Sequence, residues 1–189
     1  MKSSETDILI VPGYEGAGPT HWQQRMAAKL STARIVEQSD WTFPSLSDAI
    51  GQLVAAVQMA QRPIVFVAHS AGSTLVAHAM PTLNQLALSD RVKGGFLVTP
   101  PSELALTELP NIDPAFAQVP RDPLPFPSAL VASSNDPYAS LEHSADIALA
   151  WGSKLIEAGE QGHINIASGH GPWPEGMMSF AGFLSRLGR

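Results

Sequence analysis

The stretch Pro63-Ile64-Val65-Phe66-Val67-Ala68-His69-Ser70-Ala71-Gly72 constrains this chain more than any other. Ile64 to Val67 are β-branched or aromatic without a polar break. That predicts a strand buried on both faces, as in the centre of a parallel sheet. The strand pattern stops at Ser70, and Gly72 to Met80 then carries apolar residues at helical spacing until Pro81, which predicts a helix ending there. A serine at a strand-to-helix turn, with Ala68 and Gly72 two positions to either side, fits a nucleophile elbow, where strand and helix backbones cross so closely that only small flanking side chains fit. A buried serine in an ordinary β-to-α connection would look the same locally. The chemistry therefore depends on an acid and a histidine elsewhere in the chain.

The chain contains no cysteine, which removes disulfides, thiolate metal sites and a cysteine nucleophile, and leaves serine as the obvious nucleophile. The net charge is −6, and the 11 Lys and Arg residues are scattered, so nucleic acid is not an expected partner. The polar start Met1 to Asp7 has no signal-peptide core, and no apolar run is long enough for a bilayer. These features predict a cytoplasmic protein with no membrane partner. The 189 residues suit one domain, spanning 1–189, with no internal repeat or linker.

Strands are expected at Ile8–Val11, Arg34–Glu37, Arg91–Val98, Ser128–Ser133 and Lys154–Ala158 around the central one. Helical patterns lie between them: one opens near Pro19, another is capped by Ser45 or Ser47, another starts near Ala139, and a closing one runs from about Met177 to Leu187. This alternation predicts an α/β fold with a mostly parallel, doubly wound sheet flanked by helices. Residues 99–127 hold half of the chain's 16 prolines and are expected to be mostly irregular. They could line a pocket with Leu104, Leu106, Phe116 or Phe126, or simply cross the surface.

After the first strand, Pro12-Gly13-Tyr14-Glu15-Gly16-Ala17-Gly18 places three glycines in six positions, where backbone can approach a bound group. This is where an oxyanion-hole loop belongs, and Tyr14 and Ala71 are the expected N–H donors. Gly13 and His21 are candidate substrate contacts. The same loop has the G-x-x-x-x-G spacing of a phosphate-binding loop, but Pro19-Thr20 stands where the lysine would be. A purely structural glycine turn is the third reading.

Asp136 lies just past a strand's carboxyl end, the side on which open α/β sheets place their sites, and Pro137 keeps it extended. It could instead cap the following helix. Six histidines are available. His69 should point away from the Ser70 side chain, His78 lies in a core helix, and His143 suits a surface. His163 and His170 follow the last strand, where the base falls when the order is Ser, Asp, His. His163 is favoured and His170 is the alternative. Trp22, Trp41 and Trp173 could form an aromatic pocket, with Trp173 a candidate substrate contact, or serve as core filler. Metal catalysis finds no H-E-x-x-H motif and no carboxylate at ligand spacing from His163 or His170.

Together, Val11-Pro12-Gly13, Val67 to Gly72, Ser134-Asn135-Asp136-Pro137-Tyr138 and Gly162-His163-Ile164-Asn165 resemble the retinoblastoma-binding-protein-9-like small serine hydrolases. The resemblance spans nearly the whole chain. It implies an α/β-hydrolase core without a separate cap domain and a Ser70–Asp136–His163 triad. A chain this short has little room for a cap, which points to an accessible site and a small-molecule acyl substrate, and no cofactor is expected. Ala68 stands where the wider hydrolase pattern has glycine, and alanine is still small enough. The protein partner behind the family name is bound through a cysteine-containing peptide, which cannot occur here and is not carried over. The reaction expected is acyl hydrolysis of an ester, thioester or activated amide. The alternative is a binding module that keeps the fold without turnover.

Overall fold

Alternation along the buried strands decides which helices each face receives. The computed structural model describes residues 1–187; residues 188 and 189 lie outside the described part. Six strands, β1 (Asp7–Val11), β2 (Ala33–Ile35), β3 (Ile64–His69), β4 (Val92–Val98), β5 (Ser128–Ala132) and β6 (Lys154–Glu157), form one sheet in the order β2-β1-β3-β4-β5-β6. Every neighbouring pair is parallel. Leu9, Val11, Phe66, Ala68, Leu97 and Leu130 face one core; Ile8, Ile10, Val65, Val67, Phe96 and Val131 face the other. The first core is closed by α2 (Leu46–Met59), α3 (Ala71–Gln85) and α5 (Leu141–Trp151), the second by α1 (Trp22–Lys29) and α6 (Pro174–Arg186). A period of two on strands buried on both faces thus fixes a three-layer α/β/α arrangement.

Strand order reverses between β1 and β3, and the crevice at such a switch point, beyond the carboxyl ends of the strands, is where open α/β sheets bind ligands. Gln23 on α1 is fully buried there, and its Nε2 donates to the carbonyls of Val11 (3.2 Å) and Val67 (3.3 Å). One side chain therefore ties the two strand ends together beneath the crevice.

Two expectations need correction. Pro81 does not end α3, which continues to Gln85. Proline in a helix interior costs about 3 kcal/mol through its missing N–H and a clash with the preceding turn. Pro81 lies on the exposed side, whereas Leu83 beyond it is fully buried, and burying a leucine is worth about 1.5–3 kcal/mol. The helix ends instead where Ala87 turns left-handed (φ 54°) and the Leu88 N–H reaches back to the Leu83 carbonyl.

The proline-rich crossing is also more ordered than expected, because its prolines flank short helices and do not interrupt them. Ser102 caps α4 (Glu103–Glu108), and Asp113 caps a 3₁₀ turn opened by Pro114. Among the described residues no helix is long and apolar enough to cross a membrane.

Candidate active site

Ser70 sits between β3 and α3 at φ 55°, ψ −133°, a backbone region that glycine tolerates and serine enters only under constraint. The crossing is as tight as the small flanking residues suggest. A methyl group on Gly72 would stand 2.3 Å from the Val11 oxygen and 2.4 Å from that of Pro12. One on Gly13 would stand 2.7 Å from Ser70 Cβ, so the glycine loop lies directly against the serine.

The structure brings Ser70, His163 and Asp136 together. His163 Nε2 is 2.9 Å from Ser70 Oγ, and Nδ1 is 3.0 Å from both carboxylate oxygens of Asp136. The carboxylate can only accept, so Nδ1–H donates to it, Nε2 is the acceptor, and the serine hydroxyl donates to Nε2. The side chains of Asp136 and His163 are 2% and 7% exposed. Asp136 does not cap α5, since Ser140 does; its Oδ1 also accepts the Tyr138 N–H at 2.9 Å.

The loop carrying His163 is held by residues to which the sequence assigned no such role. His69 does leave the Ser70 side, but it turns beneath His163: its Nε2 donates to the His163 carbonyl at 2.8 Å, and Thr99 Oγ1 donates to the same oxygen at 3.3 Å. Trp22 Nε1 donates to the Ile164 carbonyl at 2.9 Å. Ile164 is fully buried at φ 49°, a conformation that costs a β-branched residue about 1–3 kcal/mol and persists only where surroundings impose it. On the acid side, Asn135 Oδ1 accepts the Gly162 N–H (2.6 Å) and Ser133 Oγ–H (2.9 Å), and Ser133 Oγ accepts the Gln161 N–H (2.9 Å). The Asp136 and His163 loops are thereby latched together. His170 is not beside Ser70; it bonds Gln161 Oε1 and Ser168 Oγ within the base loop.

A cleft of about 380 Å³ opens over Ser70 and His163. Gly13, Tyr14, His21 and Tyr138 line it, together with Pro101, Ala105 and Leu109 from the crossing segment. Tyr138 stands edge-on to His163, with ring centroids 4.5 Å apart. The Tyr14 hydroxyl donates to the Pro110 carbonyl, fixing the glycine loop to the crossing, and the Tyr14 N–H makes no hydrogen bond among the described residues. Ala71 opens α3, so its N–H belongs to a first turn without intrahelical acceptors.

Other expected contacts lie elsewhere. Trp173 does not line the cleft: it is 6% exposed and packs edge-on against Trp22 in the second core. Leu104 is exposed, Leu106 and Phe126 are buried in the first core, and Phe116 and Trp41 line a separate apolar cavity of about 30 Å³ behind Tyr14. The register of α4 places Ala105, not Leu104 or Leu106, at the cleft.

Three rings, His21, His69 and His163, lie in series, tilted to one another by 54° and 51°, with centroids 5.1 Å and then 4.9 Å apart. Burial, then the charges of His163 and His170, pushes His21 down to about 4. Burial, then the same kind of repulsion from His163 and His21, drives His69 far below the ordinary histidine range, so both rings are neutral at pH 7. Among the described residues no three His, Cys, Asp or Glu side chains converge as a metal site.

The comparisons with known proteins agree with this picture. Residues 8–182 match the family model described as serine hydrolase. Among solved structures, a YdeN-like hydrolase from Pectobacterium atrosepticum is 26% identical with a TM-score of 0.84, over 98% of this chain and 94% of that one. The ydeN gene product of B. subtilis is 19% identical with a TM-score of 0.74, over 96% and 99%. The type II thioesterase BorB of the borrelidin biosynthetic cluster shares the fold at 13% identity and a TM-score of 0.64, over 98% and 94%. No curated protein matches in sequence. The fold is that of the α/β-hydrolases, with no separate cap domain among the described residues, and the chain belongs to the serine hydrolase family.

Proposed function

We propose that the protein hydrolyses an acyl bond of a small ester, thioester or activated amide through an acyl-enzyme on Ser70. The observation that carries this reading is the unbroken hydrogen-bond chain from Asp136 through His163 to Ser70 Oγ. As Ser70 Oγ attacks the acyl carbon, its proton passes to His163 Nε2, and Asp136 holds the ring tautomer and stabilises the imidazolium. The N–H groups of Tyr14 and Ala71 receive the developing oxyanion, a contribution of about 3 kcal/mol per donor. His163 then protonates the leaving group. Water, deprotonated by the same nitrogen, attacks the acyl-enzyme and releases the acid. The motifs Val67 to Gly72 and Gly162 to Asn165 support a likeness to the retinoblastoma-binding-protein-9-like hydrolases as part of this reading.

Intact-mass labelling with a fluorophosphonate tests the assignment. One adduct is expected on the wild type and none on Ser70→Ala or His163→Ala. A folded wild type that takes no adduct would overturn the hydrolase reading in favour of a binding module on the same fold.

A further inference from the structure

His21 caps α1 with its side chain, Nδ1 accepting the Gln23 N–H at 3.2 Å. That bond settles the tautomer, because a neutral imidazole whose Nδ1 accepts carries its proton on Nε2. The residue is 5% exposed. Its ring packs on Trp22 and His69, and its remaining open side lines the cleft that holds Ser70 and His163. Nε2 has no hydrogen-bond partner among the described residues and is not sealed from solvent. The proposed reaction uses no atom of His21, yet the fold buries this ring and leaves one N–H facing the cleft.

Building on the serine-hydrolase reading above, we propose that His21 Nε2–H is a substrate-binding donor that recognises a neutral oxygen acceptor in the leaving group. Three observations converge on that chemistry. His21 and His163 pack against the same His69 ring, at 5.1 and 4.9 Å, and both line the cleft over Ser70, so the donor shares a wall of the cleft with the residue that would protonate the departing group. Glu15 is the one carboxylate lining the cleft, and no lysine or arginine lines it, so an anionic leaving group would meet repulsion without compensation. Pro101, Ala105 and Leu109 form an apolar wall that offers no side-chain donor, so along that wall a substrate oxygen depends on donors from the facing side. Of these, His21 Nε2–H is the buried and fixed one, whereas the Tyr138 hydroxyl and Asn165 amide also line the cleft. Because the ring is uncharged at neutral pH, it discriminates by hydrogen bonding, and a substrate lacking the acceptor would leave the N–H unpaired.

The test compares two isosteric esters, 2-methoxyethyl propionate and n-butyl propionate, which differ by an ether oxygen in place of a methylene. Rates are corrected for the alkaline reactivity of each ester. The wild type is expected to favour the methoxyethyl ester in kcat/KM by about tenfold, the usual scale of one neutral hydrogen bond. His21→Asn keeps an acceptor for the Gln23 N–H but cannot reach the cleft, and should abolish that preference. A preference that survives in His21→Asn, or is absent in a wild type that turns over both esters, overturns the assignment. So does a preference found only when the oxygen is moved to the acyl side, as in butyl 3-methoxypropanoate against butyl pentanoate. If neither ester is hydrolysed and Ser70 takes no fluorophosphonate, the hydrolase reading itself falls and takes the assignment with it. Labelling without an ester preference removes His21 alone.

Discussion

The imidazole of His69 donates from Nε2 to the main-chain oxygen of His163, 2.8 Å away, so the residue immediately before Ser70 holds the backbone of the residue whose Nε2 accepts the hydrogen bond of the Ser70 hydroxyl. Elbow and base loop are thereby joined by a contact that spans 94 positions. His69→Phe keeps a ring against His163 but leaves that carbonyl with only Thr99 Oγ1. We expect kcat to fall roughly tenfold with little change in KM, for the loss of about 1–3 kcal/mol of buried hydrogen bonding. His69→Gln, which can still donate, should recover most of it. Equal losses in both variants would show that ring packing, not the donor, positions the base.

The backbone at Ser70 predicts a trade between stability and activity. At φ 55° and ψ −133° a side chain costs about 1–3 kcal/mol that glycine does not. Ser70→Gly and Ser70→Ala should both lose fluorophosphonate labelling, yet Ser70→Gly should be the more stable of the two by roughly 1 kcal/mol after allowing for glycine's freer unfolded chain. Urea midpoints measure the difference directly. A Ser70→Ala protein as stable as Ser70→Gly would mean that the elbow stores no strain.

Gly72 predicts the opposite sign. A methyl there would press on two carbonyl oxygens of the β1 end at 2.3 and 2.4 Å, and neither backbone can move without disturbing the sheet or the glycine loop. Gly72→Ala is expected to destabilise by about 3 kcal/mol or more. A soluble, fully labelled Gly72→Ala protein with an unchanged urea midpoint would contradict the tightness of this crossing.

Residues with purely local signals were legible from sequence. Ser70, Asp136 and His163 each follow the carboxyl end of a strand recognisable by its apolar run, and parallel topology delivers those ends to one edge of the sheet. The parts that were not legible depend on tertiary contact. His69 gives no sign that its ring turns beneath a loop 94 residues later. Trp173 and Trp41 are equal candidates by composition, and only packing sends one into a core and the other to a cavity. In the crossing segment a single step of helical register exchanges Leu104 for Ala105 at the cleft. Pro81 misleads because propensity is local, whereas the burial of Leu83 that carries the helix past it belongs to the assembled core.

The buried histidines predict how stability depends on pH. His21, His69, His78 and His170 all have their pKa values lowered chiefly by burial, His21 to about 4. In the unfolded chain each would bind a proton near pH 6.5, while in the folded protein it remains neutral until a lower pH. Between those limits the unfolded state holds more protons, so stability declines as pH falls from about 6.5 toward 4. Asp7 acts at a lower window. Burial raises its carboxyl, but the N–H groups of Arg62 and Gln61, the Arg62 side chain and Arg34 outweigh that and hold it below the ordinary value of 3.8. Its stabilising contribution is present above 3.8 and is lost as pH falls through the lower folded value. Urea midpoints should therefore be nearly level from pH 8 to 7, drop from pH 6.5 to 4, and drop again below pH 3.8. His78→Gln separates titration from contact, since glutamine can still donate to the Phe116 carbonyl that His78 Nε2 holds at 3.1 Å but binds no proton. Its midpoint should fall less steeply between pH 6.5 and 4 than that of the wild type. Parallel slopes would assign the acid sensitivity to the other three rings.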